Sequence, residues 1–223
     1  MKNFLSSIGT RVLGACLLAA ALSGCVSTRD VVAPRVNTAA NPAQGIPVRI
    51  SKVEDLRLFQ IKPASPVTQS LMDDQISNEA IRVRAFGRQR NSYGMALGDV
   101  LLPEGQTVAG LVETVVARSL RESGYRVVSG NDADYAQAKP LVVRIDKLWT
   151  WRDLTAFKGG LVTNYEVAVT DPTAPSQQTV VVTGDIKADP WSAGDEGQWG
   201  YALRVGLDEI SAKLKAKLQA AKR

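Results

Sequence analysis

Thr107-Val108-Ala109-Gly110-Leu111-Val112-Glu113-Thr114-Val115-Val116-Ala117-Arg118-Ser119-Leu120-Arg121-Glu122-Ser123-Gly124-Tyr125-Arg126-Val127-Val128 reads as a helix delivered straight into a strand. Val108, Leu111, Val112, Val115, Val116 and Leu120 fall on one face, with Glu113, Arg118 and Arg121 elsewhere. That is the period of a helix burying a single stripe. Gly124 follows the last periodic turn, where a glycine takes the left-handed conformation that closes a helix. Tyr125 to Val128 then continues as β-rich sequence.

Working outward, Pro140 to Trp151 predicts a strand with Leu141, Val143, Ile145, Trp149 and Trp151 on one side and Arg144 and Asp146 on the other. Thr163 to Thr170 and Gln178 to Lys187 alternate in the same way, separated by the loop sequence Asp171-Pro172-Thr173-Ala174-Pro175-Ser176, and together they read as an antiparallel meander. From about Glu196 to Ala221 the residues Trp199, Leu203, Leu207, Ile210, Leu214 and Leu218 form one helical stripe, with Asp195 and Gln198 as its capping pair. Upstream, Pro47 to Val53 and Ala80 to Arg88 read as strands, while residues 54–79 show no usable period. The expectation is an α+β fold: a mainly antiparallel sheet with two helices, about 107–123 and 196–221, packed on one face.

At the start, Lys2 and Arg11 precede an apolar run from Val12 to Leu22. At about 11 residues this run would make a helix of roughly 16 Å, short of a hydrocarbon core of about 30 Å. It therefore reads as an export signal. Leu22-Ser23-Gly24-Cys25 resembles the lipobox of bacterial lipoproteins. The resemblance implies cleavage between Gly24 and Cys25, a diacylglyceryl thioether on the Cys25 sulfur and N-acylation of the new terminus. Two or three acyl chains anchor stably where one does not. The chain then divides into a signal peptide, 1–24, a lipidated N-terminus and flexible tether, 25–45, and a single α+β periplasmic domain, 46–223. The tether, with Pro34, Asn37, Asn41, Pro42 and Gly45 among small residues, would span roughly 25 Å as a flexible coil.

The chain has no histidine and two cysteines. Removing the signal takes Cys16, and lipidation commits Cys25, so no thiol chemistry is expected. Without imidazole, Ser-His-Asp triads, Cys-His dyads and histidine-containing zinc sites are excluded. Lys2 and Arg11 leave with a signal that carries no acid, so 27 basic residues become 25 against 22 acidic, a balance of +3. That is too mild for a nucleic-acid binder. Lys158-Gly159-Gly160 lacks the spacing of a phosphate loop, and Asp73-Asp74 and the pair Asp132 and Asp134 read as solvated loop acids. No metal and no cofactor beyond the Cys25 lipid is expected. A binding surface remains: Arg82, Arg84, Arg88 and Arg90 would share a strand face able to meet phosphate or an acidic partner. Trp191 is the tryptophan expected to be exposed.

Val53-Glu54-Asp55-Leu56-Arg57 and the run from Val115 to Val128 resemble the YajG-like family of small envelope lipoproteins, which share a V-x-D-x-R segment, a helix ending in G-Y, and a terminal helix. That family has no assigned enzymatic activity, so the resemblance leaves the function open. The expected function is a noncatalytic binding or assembly module of the cell envelope. The alternatives are an auxiliary lipoprotein of an envelope transport system and a carboxylate-dependent glycan-binding or hydrolytic enzyme. Val26 after the lipidated cysteine implies the outer membrane, with the domain facing the periplasm; the inner membrane is the alternative. The expected partners are the membrane, through lipid, and an envelope protein or glycan. Cys25 alone is expected to decide attachment.

Overall fold

The computed structural model describes residues 29–91, 93–153, 160–174 and 178–221. Gly24, Cys25 and the signal segment lie outside them. Eight strands form one mixed sheet: β1 (Arg29–Val31), β2 (Ile46–Asp55), β3 (Ala85–Arg90), β4 (Ala96–Leu101), β5 (Tyr125–Val127), β6 (Lys139–Arg152), β7 (Leu161–Thr170) and β8 (Thr179–Ala188). The helices are α1 (Glu79–Arg82), α2 (Val108–Glu122) and α3 (Gly197–Ala220).

Strand β6 organises the sheet. Along one edge it pairs antiparallel with β7, and β7 with β8. Its other edge is shared: the first half runs parallel to β2, and Thr150 pairs with Gly87 of β3 further along. Strand β5 extends the β2 side in parallel, while β4 pairs antiparallel with β3 and carries β1 in parallel at its far edge. The expected meander from β6 to β8 is present. The sheet is not purely antiparallel: the long β6–β7 and β7–β8 ladders and β3–β4 are antiparallel, whereas β1–β4, β2–β5, β2–β6 and β3–β6 are parallel. Parallel partners are chosen by tertiary crossovers, which strand periodicity does not encode.

Helix α2 is built as its sequence predicts. The Thr107 side chain accepts from the Gly110 N–H at 3.0 Å at its start, and Gly124 closes it at φ 80°. Helix α3 buries all six stripe residues from Trp199 to Leu218. Its expected capping pair is absent: Asp195 meets Arg35, and Gln198 accepts from Arg152. Helix α2 lies against β2 and β5, α3 against β7 and β8, and the two helices touch. Val143, Ile145, Leu148 and Tyr165 close the main core beneath them. Arg118 stitches the helices through Ser211 at 3.0 Å and Asp208 at 2.9 Å.

A bulge between Ile145 and Lys147 reverses the alternation of β6. Leu148 and Thr150 therefore follow Ile145 onto the helix side, and Trp149 and Trp151 turn to the opposite face rather than continuing the face of Ile145. They are nonetheless buried. The segment after β2 covers that face: Phe59 meets Trp149 edge-on at 6.1 Å, and the indole N–H of Trp149 donates to the Pro66 carbonyl at 3.1 Å. A second core of Leu71, Ile81, Ala85 and Leu101 lies on the same side, with Phe59 and Ile76 against it.

Residues 29–45 are laid on the domain instead of hanging free as a tether. Val32 and Val36 pack against the main core. The Val32 N–H donates to Leu101 at 2.8 Å, Arg35 pairs with Asp195 at 2.9 Å, and Asn41 exchanges two hydrogen bonds with the backbone of Val127 at 2.8 and 2.9 Å. Small and turn-forming residues suit this path because the segment bonds through its backbone and short side chains, a docking that leaves no hydrophobic period.

Candidate functional site

The four arginines do not form a common face. Residues Asn78 to Arg84 turn through α1 before β3 begins at Ala85, so Arg82 and Arg84 precede the strand. Arg82 is exposed at the end of α1. Arg84 donates to the Leu102 carbonyl at 2.8 Å. Arg88 is buried, donating to the Leu71 carbonyl at 2.8 Å and to the Met72 sulfur at 2.9 Å. Arg90 donates to the Gly94 carbonyl at 2.8 Å and reaches Ser70 Oγ at 3.5 Å. The guanidiniums of Arg84, Arg88 and Arg90 thus hold chain segments together.

Beside Arg88 lies Asp99 on β4, with the aspartate side chain 1% and the arginine side chain 4% exposed and 3.7 Å between Nε and Oδ1. Burial pushes the Asp99 carboxyl above its ordinary value, against the Met72 N–H and the Arg88 charge, which pull it down. Burial, and then the charge of Arg88, lowers Arg90. Leu71 and Met72 hold the pair in place through the Leu71 carbonyl, the Met72 sulfur and the Met72 N–H, and Arg88 also contributes to the wall of an open basin beside them.

What opens outward is a basin of about 720 Å³ between the 62–74 segment and the β3–β4 turn, lined by Lys62, Met72, Asp73, Arg90, Tyr93 and Met95. Lys62 and Asp73 pair across its rim at 2.6 Å. Lys62 has φ 44°, the left-handed region that a non-glycine residue enters at a cost. The basin offers a cation, a carboxylate, a phenol and a thioether, a mixture suited to holding a partly apolar ligand. Sequence reading missed it because Lys62, Asp73 and Tyr93 come from segments without a period. The expectation for Trp191 is met: it is 81% exposed on a turn that follows β8, its backbone N–H donating to the Asp189 carboxylate at 3.1 Å.

Among the described residues no cluster of acids could hold a metal ion, and no helix is long and apolar enough to cross a membrane. No family model and no curated protein matches the sequence. Among solved structures, an uncharacterized protein is similar at 9% identity and a TM-score of 0.47, over 86% of this chain and 99% of its own. A PelC dodecamer from Paraburkholderia phytofirmans is similar at 16% identity and a TM-score of 0.29, over 82% of this chain and 94% of its own. The hypothetical protein CT253 from Chlamydia trachomatis gives 11% and 0.33, over 60% of this chain and 94% of its own. At these TM-scores none of the three bears on what this chain does.

Proposed function

We propose that this chain is a lipid-anchored protein of the bacterial envelope, held on the outer membrane through Cys25, whose periplasmic domain works by binding a partner rather than by catalysis. The observation that carries the reading is Leu22-Ser23-Gly24-Cys25 behind a short apolar segment. The domain geometry supports it in a second way: the buried titratable pair, Arg88 and Asp99, is tied to backbone carried by Leu71 and Met72. The open basin presents a mixed contact surface, suited to an envelope protein or a glycan. Intact-mass analysis of the mature N-terminal peptide tests the anchor, with diacylglyceryl and an N-acyl group expected on Cys25. Cys25→Ser is expected to leave an uncleaved precursor. A hydrolase substrate screen tests the second half: turnover abolished by Asp73→Asn or Asp74→Asn would overturn the binding role. Recovery of the protein in the inner-membrane fraction would overturn the location.

A further inference from the structure

We propose that one end of the sheet, formed by the β3–β4 turn and the turn bearing Trp191, seats directly on the lipid bilayer, with Tyr93, Met95 and Trp191 in its interfacial layer. The proposal rests on the reading of Cys25 as the lipidated residue. Strand β1 runs parallel to β4, with Arg29 beside Asp99 and Val31 beside Leu101. The chain therefore enters β1 from the side of the β3–β4 turn. Four residue steps join Cys25 to Arg29, a reach of at most about 14 Å. Four steps also separate Asp99 from Met95 along β4. With residues 29–45 strapped to the domain, no longer tether remains, and acyl chains on Cys25 can enter a bilayer only if this end of the sheet is close to the headgroups.

Register places Trp191 at the same end. Gly87 pairs with Thr150, Arg152 with Leu161, and Leu161 with Ala188, which Trp191 follows by three residues. Tyr93, Met95 and Trp191 are 87%, 61% and 81% exposed. The β3–β4 turn is not slack: Asn91 Oδ1 accepts from the N–H groups of Tyr93 at 3.0 Å and Met95 at 2.9 Å, and Gly94 completes it at φ 79°. Tyr93 and Met95 are thus held on the rim of the basin with most of each side chain exposed. Aromatic rings with a polar tip settle at membrane interfaces, their bodies among acyl chains and their polar atoms in the headgroups. Several of the charges around them are paired, Arg35 with Asp195 at 2.9 Å, Lys62 with Asp73 at 2.6 Å and Lys187 with Asp153 at 3.2 Å, while Arg90 donates to the Gly94 carbonyl and Asp189 accepts from the Trp191 backbone N–H. The contact is therefore apolar and little affected by salt.

The test uses the full lipidated chain carrying Tyr93→Cys. After signal removal this is the sole free thiol, and it takes a nitroxide label. In vesicles of phosphatidylethanolamine and phosphatidylglycerol, the label should gain oxygen access and lose nickel-chelate access several-fold relative to one at Asn131→Cys, in low and high salt alike. A label at Trp191→Cys repeats the measurement on an independent element. Aqueous access at 93 and 191 equal to that at 131, on protein whose Cys25 peptide carries its acyl mass, overturns the proposal and leaves the anchor standing. Spin–spin broadening between labels at 93 without lipid contact overturns it in favour of a second copy. A Cys25 peptide without acyl mass removes the anchor reading, and the proposal with it.

Discussion

Asp55 and Arg57 form a two-point clip, with Nε to Oδ1 at 2.7 Å and NH2 to Oδ2 at 2.8 Å, and the arginine side chain wholly buried. The same guanidinium donates to the carbonyls of Ala85 at 2.5 Å and Arg82 at 3.2 Å. It ties the end of β2 to the start of β3, two strands that do not pair. Removing one partner of a buried pair strands the other, at about 3–5 kcal/mol. Arg57→Ala is expected to lower stability by that amount, since it loses the carbonyl bonds along with the pair, and Asp55→Ala by less, because the guanidinium it leaves behind keeps its carbonyl partners. Urea unfolding of both variants checks this; equal losses would mean that the carbonyl bonds contribute nothing.

The carboxylate of Asp171, just after β7, supplies a pH dependence. Burial pushes it up, but the Lys139 ammonium at 2.6 Å, the Thr173 hydroxyl at 2.6 Å and the Thr173 N–H at 2.9 Å outweigh that and hold it at about 2. A carboxyl depressed from 3.8 stabilises the fold above that value, and the contribution is lost as pH falls toward 2. Between those limits the stability of Asp171→Asn should vary less with pH than that of the parent. Parallel urea midpoints across this window decide it.

Helix α3 crosses β7 where Gly206 meets Thr163. A Cβ at 206 would sit 2.6 Å from Thr163 Cγ2, while Thr163 Oγ1 donates to the Ala202 carbonyl at 3.0 Å. Gly206→Ala is expected to destabilise by about 1–2 kcal/mol, overpacking outweighing the helix propensity gained. Adding Thr163→Ser removes the methyl and keeps the hydroxyl, so the double variant should recover most of the loss. Additive losses in this cycle would place the strain elsewhere.

Docking of residues 29–45 changes where the domain can be cut. A chain beginning at Gly45 loses β1, the Asn41 bonds to Val127 and the burial of Val32 and Val36. It should be less stable than one beginning at Arg29 by on the order of 3 kcal/mol. Matching thermal midpoints for the two chains would show the strap to be energetically idle.

Sequence reading found the elements whose burial follows a period. The stripes of α2 and α3, the stop at Gly124 and the β6–β8 meander are all of this kind. It failed where long-range contacts decide. Ile81, Val83 and Ala85 alternate as a strand would, yet Ile81 is drawn into α1 to pack on Leu71 and Leu101, which moved two arginines off the strand. One extra residue near Asp146 carried Trp149 and Trp151 to the opposite face; two large rings followed by a charge at Arg152 were the available hint. Asp55 and Arg57 were noticed as a motif, but nothing local announces that the arginine reaches the carbonyls of Arg82 and Ala85. Of the candidate surface, Trp191 was legible from its turn, whereas the basin depends on which loops meet.

The parallel pairing of β1 with β4 also has a mechanical consequence. A pull on the chain ahead of Arg29, directed past the β3–β4 turn, runs along both strands, so the ladder is loaded in shear and its bonds share the force. An antiparallel edge strand entered from its far end would have peeled open bond by bond. Behind this short ladder, the Arg35 and Asn41 contacts act as successive cleats, so tension on the N-terminus must slip three fastenings before it reaches β2.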